Sequence, residues 1–232
     1  MLFYRAMENI RNAIGKFLHR LGISPNFITL LGLLFAGVAG FLIYEGRFFL
    51  AGSALLFSGI LDLLDGATAR ASNNKHYFGA ILDSSLDRYG DGFVLAGALF
   101  YCFEIQNLLY AALTLSALLG SFLISYVRAR AECLIEKCRV GFWERGERIG
   151  CLVVGLLFNN LPMALLILGV GTHFTAIFRL YYADRQTIPF SQTASLSWLS
   201  STFFHSSGRN NVYYYLKCAL FFLILSLFRL PF

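Results

Sequence analysis

LDLLDGATARASNNKHYFGAILDSSLDRYGDG, residues 61–92, carries Asp62, Asp65, Asp83, Asp87 and Asp91, and the only other aspartate in the chain is Asp184. The stretch sits among apolar runs suited to membrane helices, where ionised carboxylates are costly and usually serve a function. Asp62 and Asp65 are three residues apart, and Asp83 and Asp87 are four apart. On α-helices each pair falls on one face. SNNK at 72–75 supplies a short polar turn between the two helices. Folding the hairpin there sets Asp65 opposite Asp83 and gathers four carboxylates at one depth. Such a cluster repels itself unless cations neutralise it. Oxygen-only ligation suits Mg²⁺ or Mn²⁺, and four carboxylates suit two such ions better than one. Gly66, Ala69 and Gly79 let helices and a bulky ligand approach closely. Arg70 offers a planar fork for phosphate.

Composition supports the membrane reading. Of 232 residues, 57% are apolar and only 14% charged, which is more apolar than ordinary soluble domains. The net charge of +6 marks cytoplasmic loops of a membrane protein before it marks nucleic acid, so no nucleic-acid partner is expected. The five cysteines form no CxxC framework and read as free thiols. The histidines are scattered and make no metal-ligand pattern.

The chain is therefore expected to be an all-α polytopic membrane protein with six transmembrane helices near 25–45, 49–70, 78–102, 106–130, 145–160 and 163–184. The fifth is the shortest. Residues 1–21 alternate apolar and basic side chains at helical spacing, which fits an amphipathic helix lying in the membrane interface. Residues 1–186 form one membrane domain, and 187–232 form a tail with a marginal hydrophobic segment, read either as a further span or as a surface segment. Basic residues crowd the N-terminus, the turn at 71–77 and the stretch from Arg128 to Arg148, while the opposite loops offer only Arg47. The positive-inside rule then puts the N-terminus and the aspartate cluster on the cytoplasmic side of a cell membrane.

The pattern Asp62-x2-Asp65-Gly66-x2-Ala69-Arg70-x8-Gly79-x3-Asp83-x3-Asp87 resembles, at every fixed position, the signature of the CDP-alcohol phosphotransferase family. The resemblance covers about residues 1–186. It implies an enzyme that moves a phospholipid moiety from a CDP-linked lipid to an acceptor hydroxyl and releases CMP. It also implies a homodimer. Carried over, Asp62, Asp65, Asp83 and Asp87 would bind two divalent ions, Asp87 would also act as general base, and Gly66, Ala69, Arg70 and Gly79 would line the nucleotide pocket. Pro25-Asn26-Phe27-Ile28-Thr29 resembles the segment that opens the family's first span. Asn26 or Thr29 would touch the nucleotide, or Asn26 would simply cap the helix.

Ser125–Glu132 and Val140–Arg148, taken with Asp87-Arg88-x2-Asp91-Gly92, resemble the branch of the family that uses inositol phosphate. Arg128, Arg145 and Arg179 would then surround the acceptor phosphate. Asp91 has a plainer expected role, pairing with Arg88 or another buried arginine to hold the site in shape. Glycerol 3-phosphate remains the competing acceptor, and the lipid donor is CDP-diacylglycerol or CDP-archaeol. A Mg-dependent membrane prenyltransferase would also use paired aspartates, but with motifs in separate halves of the chain. An ion transporter would not need Gly66, Ala69, Arg70 and Gly79.

Overall fold

The computed structural model describes residues 13–18, 20–71 and 77–187. Most of the expected interfacial helix, the turn centred on 74 and all but the first residue of the 187–232 tail lie outside these residues. Among these residues six helices follow one another: α1 (Pro25–Tyr44), α2 (Phe48–Ala71), α3 (Tyr77–Glu104), α4 (Leu108–Ala131), α5 (Arg145–Leu157) and α6 (Leu161–Thr187). Residues 13–18 are also helical, and the described residues contain no strand.

α1 starts where its sequence dictates. The Ser24 hydroxyl accepts from the Phe27 amide at 3.3 Å, and Pro25 occupies the first turn, where its missing N–H costs nothing. The cap is therefore Ser24, and Asn26 lies inside the first turn.

Three tight connections share one end of the bundle, and they are built alike. Gly46, Gln106 and Asn159 all have left-handed backbone, with φ of 73°, 55° and 54°. In each case the next amide reaches back five residues: Arg47 to Leu42 O, Asn107 to Cys102 O and Asn160 to Gly155 O. These are Schellman closures, which satisfy the carbonyls a helix end leaves orphaned. Each reverses the chain within three residues, so α1–α2, α3–α4 and α5–α6 are antiparallel hairpins. The other end holds the longer connections and the aspartates.

α1 packs on α2 and α3, α4 on α6 and α3, and α5 bridges α2 and α6. The contacts are lined by small residues: Ala36, Ala39, Ala51, Ala98, Ala117 and Ala164 are buried in the core. In lipid, where no hydrophobic gradient drives helices together, such residues permit close van der Waals packing. Gly40 and Gly97 are the tightest case, because a Cβ on Gly97 would collide with the Gly40 backbone. Ser58 on α2 adds a hydrogen bond to Gly32 O of α1 at 2.8 Å.

α1, α2, α4 and residues Leu161–Gln186 are long and apolar enough to cross a membrane, which marks an integral membrane protein. The six expected spans are met by helices, but two differ from expectation. α3 has 28 residues, yet Asp83, Asp87, Arg88 and Asp91 make its first half polar. α5 has only 13 residues, about 20 Å of helix against a ~30 Å hydrocarbon core. It is shorter than the expected 145–160 because the Schellman closure at Phe158–Asn160 ends it early.

Replacing Gly97 with Leu is expected to destabilise the protein by at least ~1–3 kcal/mol, the usual cost of overpacking. Gly92→Ala is the matched control, since a Cβ there meets nothing within 4 Å. Thermal unfolding in detergent should show a lower Tm for the first variant and an equal or higher Tm for the second.

Candidate active site

The aspartates meet at the end of the bundle opposite the tight turns. Helical spacing puts Asp62 and Asp65 on one face of α2 and Asp83, Asp87 and Asp91 on one face of α3. Asp62, Asp83 and Asp87 each bring a carboxylate oxygen within 4.8 Å of the others. Asp65, a turn further along α2, is 5% exposed and has Thr29 of α1 as a hydrogen-bond partner. Thr29, Gly32, Ser58, Asp62, Asp65, Asp87, Gly90 and Arg145 line one cleft. α1, α2, α3 and α5 thus all contribute to it.

Two of the carboxylate oxygens, Asp65 Oδ2 and Asp83 Oδ1, are buried with no hydrogen-bond partner in the protein. An unpaired buried carboxylate oxygen is expensive. Hard, anionic oxygens in this arrangement fit a divalent cation of the Mg²⁺ or Mn²⁺ type.

The charge that the protein itself supplies comes from α5. Arg145 is the first residue of that helix, and its Nη1 lies 2.6 Å from Asp62 Oδ1 and 2.7 Å from Asp87 Oδ1. Its Nε is 3.8 Å from Asp91 Oδ1. Arg148, one turn on, places Nη2 2.8 Å from the other oxygen of Asp91, and both side chains of that pair are almost fully buried. Arg148 Nη1 also donates to Trp143 O at 3.4 Å. Asp91 therefore stands behind the cluster and aligns two arginines. The expected pairing with a buried arginine holds, and the partners are Arg148 and Arg145. Arg88 instead donates to Ser84 O and lies 3.7 Å from Asp87. The role of Arg148 was missed from the sequence, although the spacing Arg145-x2-Arg148 facing Asp87-x3-Asp91 is its signal.

The other two predicted acceptor arginines are placed differently. Arg179 is 1% exposed and acts as a clasp, with Nε donating to Val140 O at 2.9 Å and Nη1 to Ile124 O at 2.8 Å. It ties the connection after α4 to α4 and α6, beside the small cluster of Ala131, Cys138 and Val140. Its Nη2 is buried without a hydrogen bond, 3.9 Å from Glu144 Oε1, and Arg128 acts on it electrostatically. Arg128 itself pairs with Glu132 at 3.1 Å. Burial raises the pKa of Glu132, but the hydrogen bond and charge of Arg128, the Cys138 amide and Arg139 outweigh that and hold it below the usual range.

Of the predicted nucleotide-pocket residues, Thr29 lines the cleft. Gly66 is half-buried, with Arg70 Nη1 3.5 Å from where its Cβ would be. Ala69 and Arg70 are exposed at the end of α2, and Gly79 is half-buried near the start of α3. Through Leu33 the cleft adjoins an apolar groove of 460 Å³ between α1 and α3, lined by Leu30, Leu34, Gly37, Val38 and Phe93.

Residues 22–179 match the family model described as CDP-alcohol phosphatidyltransferase. The chain is 36% identical over 174 residues to the archaetidylinositol phosphate synthase of Pyrococcus horikoshii, covering 75% of this chain and 90% of that protein. The crystal structure of Mycobacterium tuberculosis phosphatidylinositol phosphate synthase with CDP-DAG bound aligns with a TM-score of 0.69 and 31% identity, over 75% of this chain and 94% of that one. The structure of the same mycobacterial protein with manganese and citrate aligns equally well, at 30% identity over 75% of this chain and 88% of the other.

Removing Arg148 leaves Asp91 buried with only the longer 3.8 Å contact to Arg145, and breaking a buried pair in this way costs up to ~3–5 kcal/mol. Arg148→Met alone is therefore expected to lower thermal stability sharply. Arg148→Met with Asp91→Leu should recover much of it, as read by unfolding in detergent.

Proposed function

The chain belongs to the CDP-alcohol phosphatidyltransferase family, and is thus a phosphotransferase enzyme; on that premise we propose that it couples a CDP-linked lipid to an inositol phosphate and releases CMP. The observation that carries the reading is the meeting of Asp62, Asp83 and Asp87 with Arg145 beside them and Arg148 behind it on Asp91. The named relatives of both archaeal and mycobacterial origin make inositol phosphate lipids, which supports the acceptor.

Asp62, Asp65, Asp83 and Asp87 would hold the divalent metal, two ions by charge count. Bound there, Mg²⁺ or Mn²⁺ supplies positive charge to the donor pyrophosphate and to the leaving CMP. The acceptor hydroxyl oxygen attacks the lipid-side phosphorus, the bond to the bridging pyrophosphate oxygen breaks, and the electron pair leaves with CMP. Asp87 takes the hydroxyl proton as the new P–O bond forms. Thr29, Gly66, Ala69, Arg70 and Gly79 border the nucleotide. The apolar groove between α1 and α3 receives the lipid tails, because it opens beside the cleft on a face of exposed Leu30, Leu34 and Phe93.

An acceptor that already carries a phosphate dianion needs cations beside the metal site. Arg145 stands beside the aspartates to provide one; the resemblance assigns Arg128 and Arg179 the same role, for which Arg179 would use Nη2, the nitrogen its clasp leaves without a hydrogen bond. The assembly sits as a bundle of six crossing helices, α3 and α5 included, with the site facing the cytoplasm. It works as a homodimer.

CMP release by purified protein with CDP-diacylglycerol and Mg²⁺ tests this. Release is expected with inositol 1-phosphate and not with serine or myo-inositol. Chelation of the metal should abolish it, and Asp87→Asn should cut it by roughly 10²–10⁴-fold, the usual worth of a general base. Release with glycerol 3-phosphate instead would keep the chemistry and remove the inositol assignment. Silence with CDP-diacylglycerol and with CDP-archaeol, under Mg²⁺ and Mn²⁺ alike, would overturn the proposal.

A further inference from the structure

Arg145 does not merely border the carboxylates. Its Nη1 stands between Asp62 Oδ1 and Asp87 Oδ1, at 2.6 and 2.7 Å. Those residues supply two of the three oxygens that lie close enough together to share one cation. A divalent ion joined to both would lie roughly 2 Å from each oxygen, in the space this nitrogen takes. The guanidinium and a bridging ion therefore exclude one another.

We propose that Arg145 is a built-in competitor for the metal site: it neutralises Asp62 and Asp87 until divalent metal displaces it, and displacement frees it to meet the phosphate of the acceptor. The inference rests on the metal-dependent reading above and deepens it.

The local build permits the exchange. Arg145 is the first residue of α5 and follows the long connection 132–144. Glu144 provides no side-chain cap hydrogen bond to the helix, and Gly146 has open space around it. The guanidinium is held chiefly by one corner, since its Nε is buried with no hydrogen-bond partner. Asp91, at 3.8 Å from that Nε, offers a second charge toward which the group can retreat. Arg148 already saturates the far oxygen of Asp91 at 2.8 Å, which keeps Asp91 fixed while Arg145 moves.

The exchange gives an order to the reaction. With Arg145 on the aspartates, the acceptor pocket lacks one of its three arginines. Metal loading completes the pocket, so metal and acceptor phosphate bind with positive linkage.

Mn²⁺ affinity, read by the electron paramagnetic resonance of free Mn²⁺ in the absence of any substrate, tests the proposal apart from catalysis. Arg145→Gln is expected to bind Mn²⁺ at least roughly tenfold more tightly than wild type, the scale of removing one opposing charge from a partly wet site. Arg145→Lys, which keeps the charge, should stay close to wild type. Equal or weaker Mn²⁺ binding by Arg145→Gln would overturn the proposal while leaving the reaction assignment intact. Phenylglyoxal labelling of the wild-type protein, mapped by mass spectrometry, needs no variant to fold. Mn²⁺ should increase modification of Arg145 and leave Arg148 unchanged, and unchanged or reduced labelling of Arg145 would contradict the exchange.

Discussion

Carboxylates gathered at one end of a bundle of apolar helices set a charge problem that the surrounding architecture answers. Asp62, Asp65, Asp83, Asp87 and Asp91 sit on α2 and α3, the two helices that flank α1, where clustered carboxylates repel one another and are costly among apolar helices. The protein answers first with Arg145, which touches Asp62 and Asp87, and then with Arg148, which holds Asp91. Both arginines lie on one face of α5. That helix is short for a membrane crossing, but its length suffices to carry two cations to the cluster. α5 is held in turn by α2 and α6, and α6 is fastened through Arg179 to the connection that precedes α5. The positions of helices remote from the cluster thus bear on where two guanidiniums stand.

Charge compensation by arginine leaves a remainder, and the remainder is informative. Asp65 Oδ2 and Asp83 Oδ1 have no partner within the protein. A purely structural ion-pair network would be expected to satisfy its own acceptors. Here the network leaves unsatisfied one oxygen of Asp65, which lines the cleft with Thr29, and one of Asp83, as the proposed metal site requires. Family membership and the unsatisfied oxygens therefore support the same chemistry from independent directions.

Much of this was legible in the sequence, for identifiable reasons. The three- and four-residue spacings of the aspartates encode a helical face directly, so a meeting of the two pairs followed once the hairpin was drawn, although the drawing set Asp65 opposite Asp83 and the close group is Asp62, Asp83 and Asp87. Apolar runs located the helices because their length and composition are local properties. Thr29 was readable as a site residue only through the family's pattern, since nothing in its neighbours points to Asp65. Other features depend on contacts far apart in the chain. Arg145 meets Asp62 across 83 positions, and no local spacing announces that pair. Arg179 was expected around the acceptor phosphate, and it is held by two backbone carbonyls, one of which, Val140 O, only the path of residues 132–144 could supply. The left-handed turn residues Gln106 and Asn159 are not glycines, so the repeated Schellman closure, and with it the early end of α5, was hidden.

The account turns on the same few oxygens serving an arginine and a metal in succession. Anomalous diffraction from crystals of the protein grown with Mn²⁺ would show this most directly. The predicted map has a manganese peak roughly 2 Å from carboxylate oxygens of Asp62, Asp83 and Asp87, with the Arg145 guanidinium withdrawn toward Asp91 and the acceptor pocket. A manganese peak elsewhere, or Arg145 still bridging Asp62 and Asp87 in crystals that bind the ion, would contradict it.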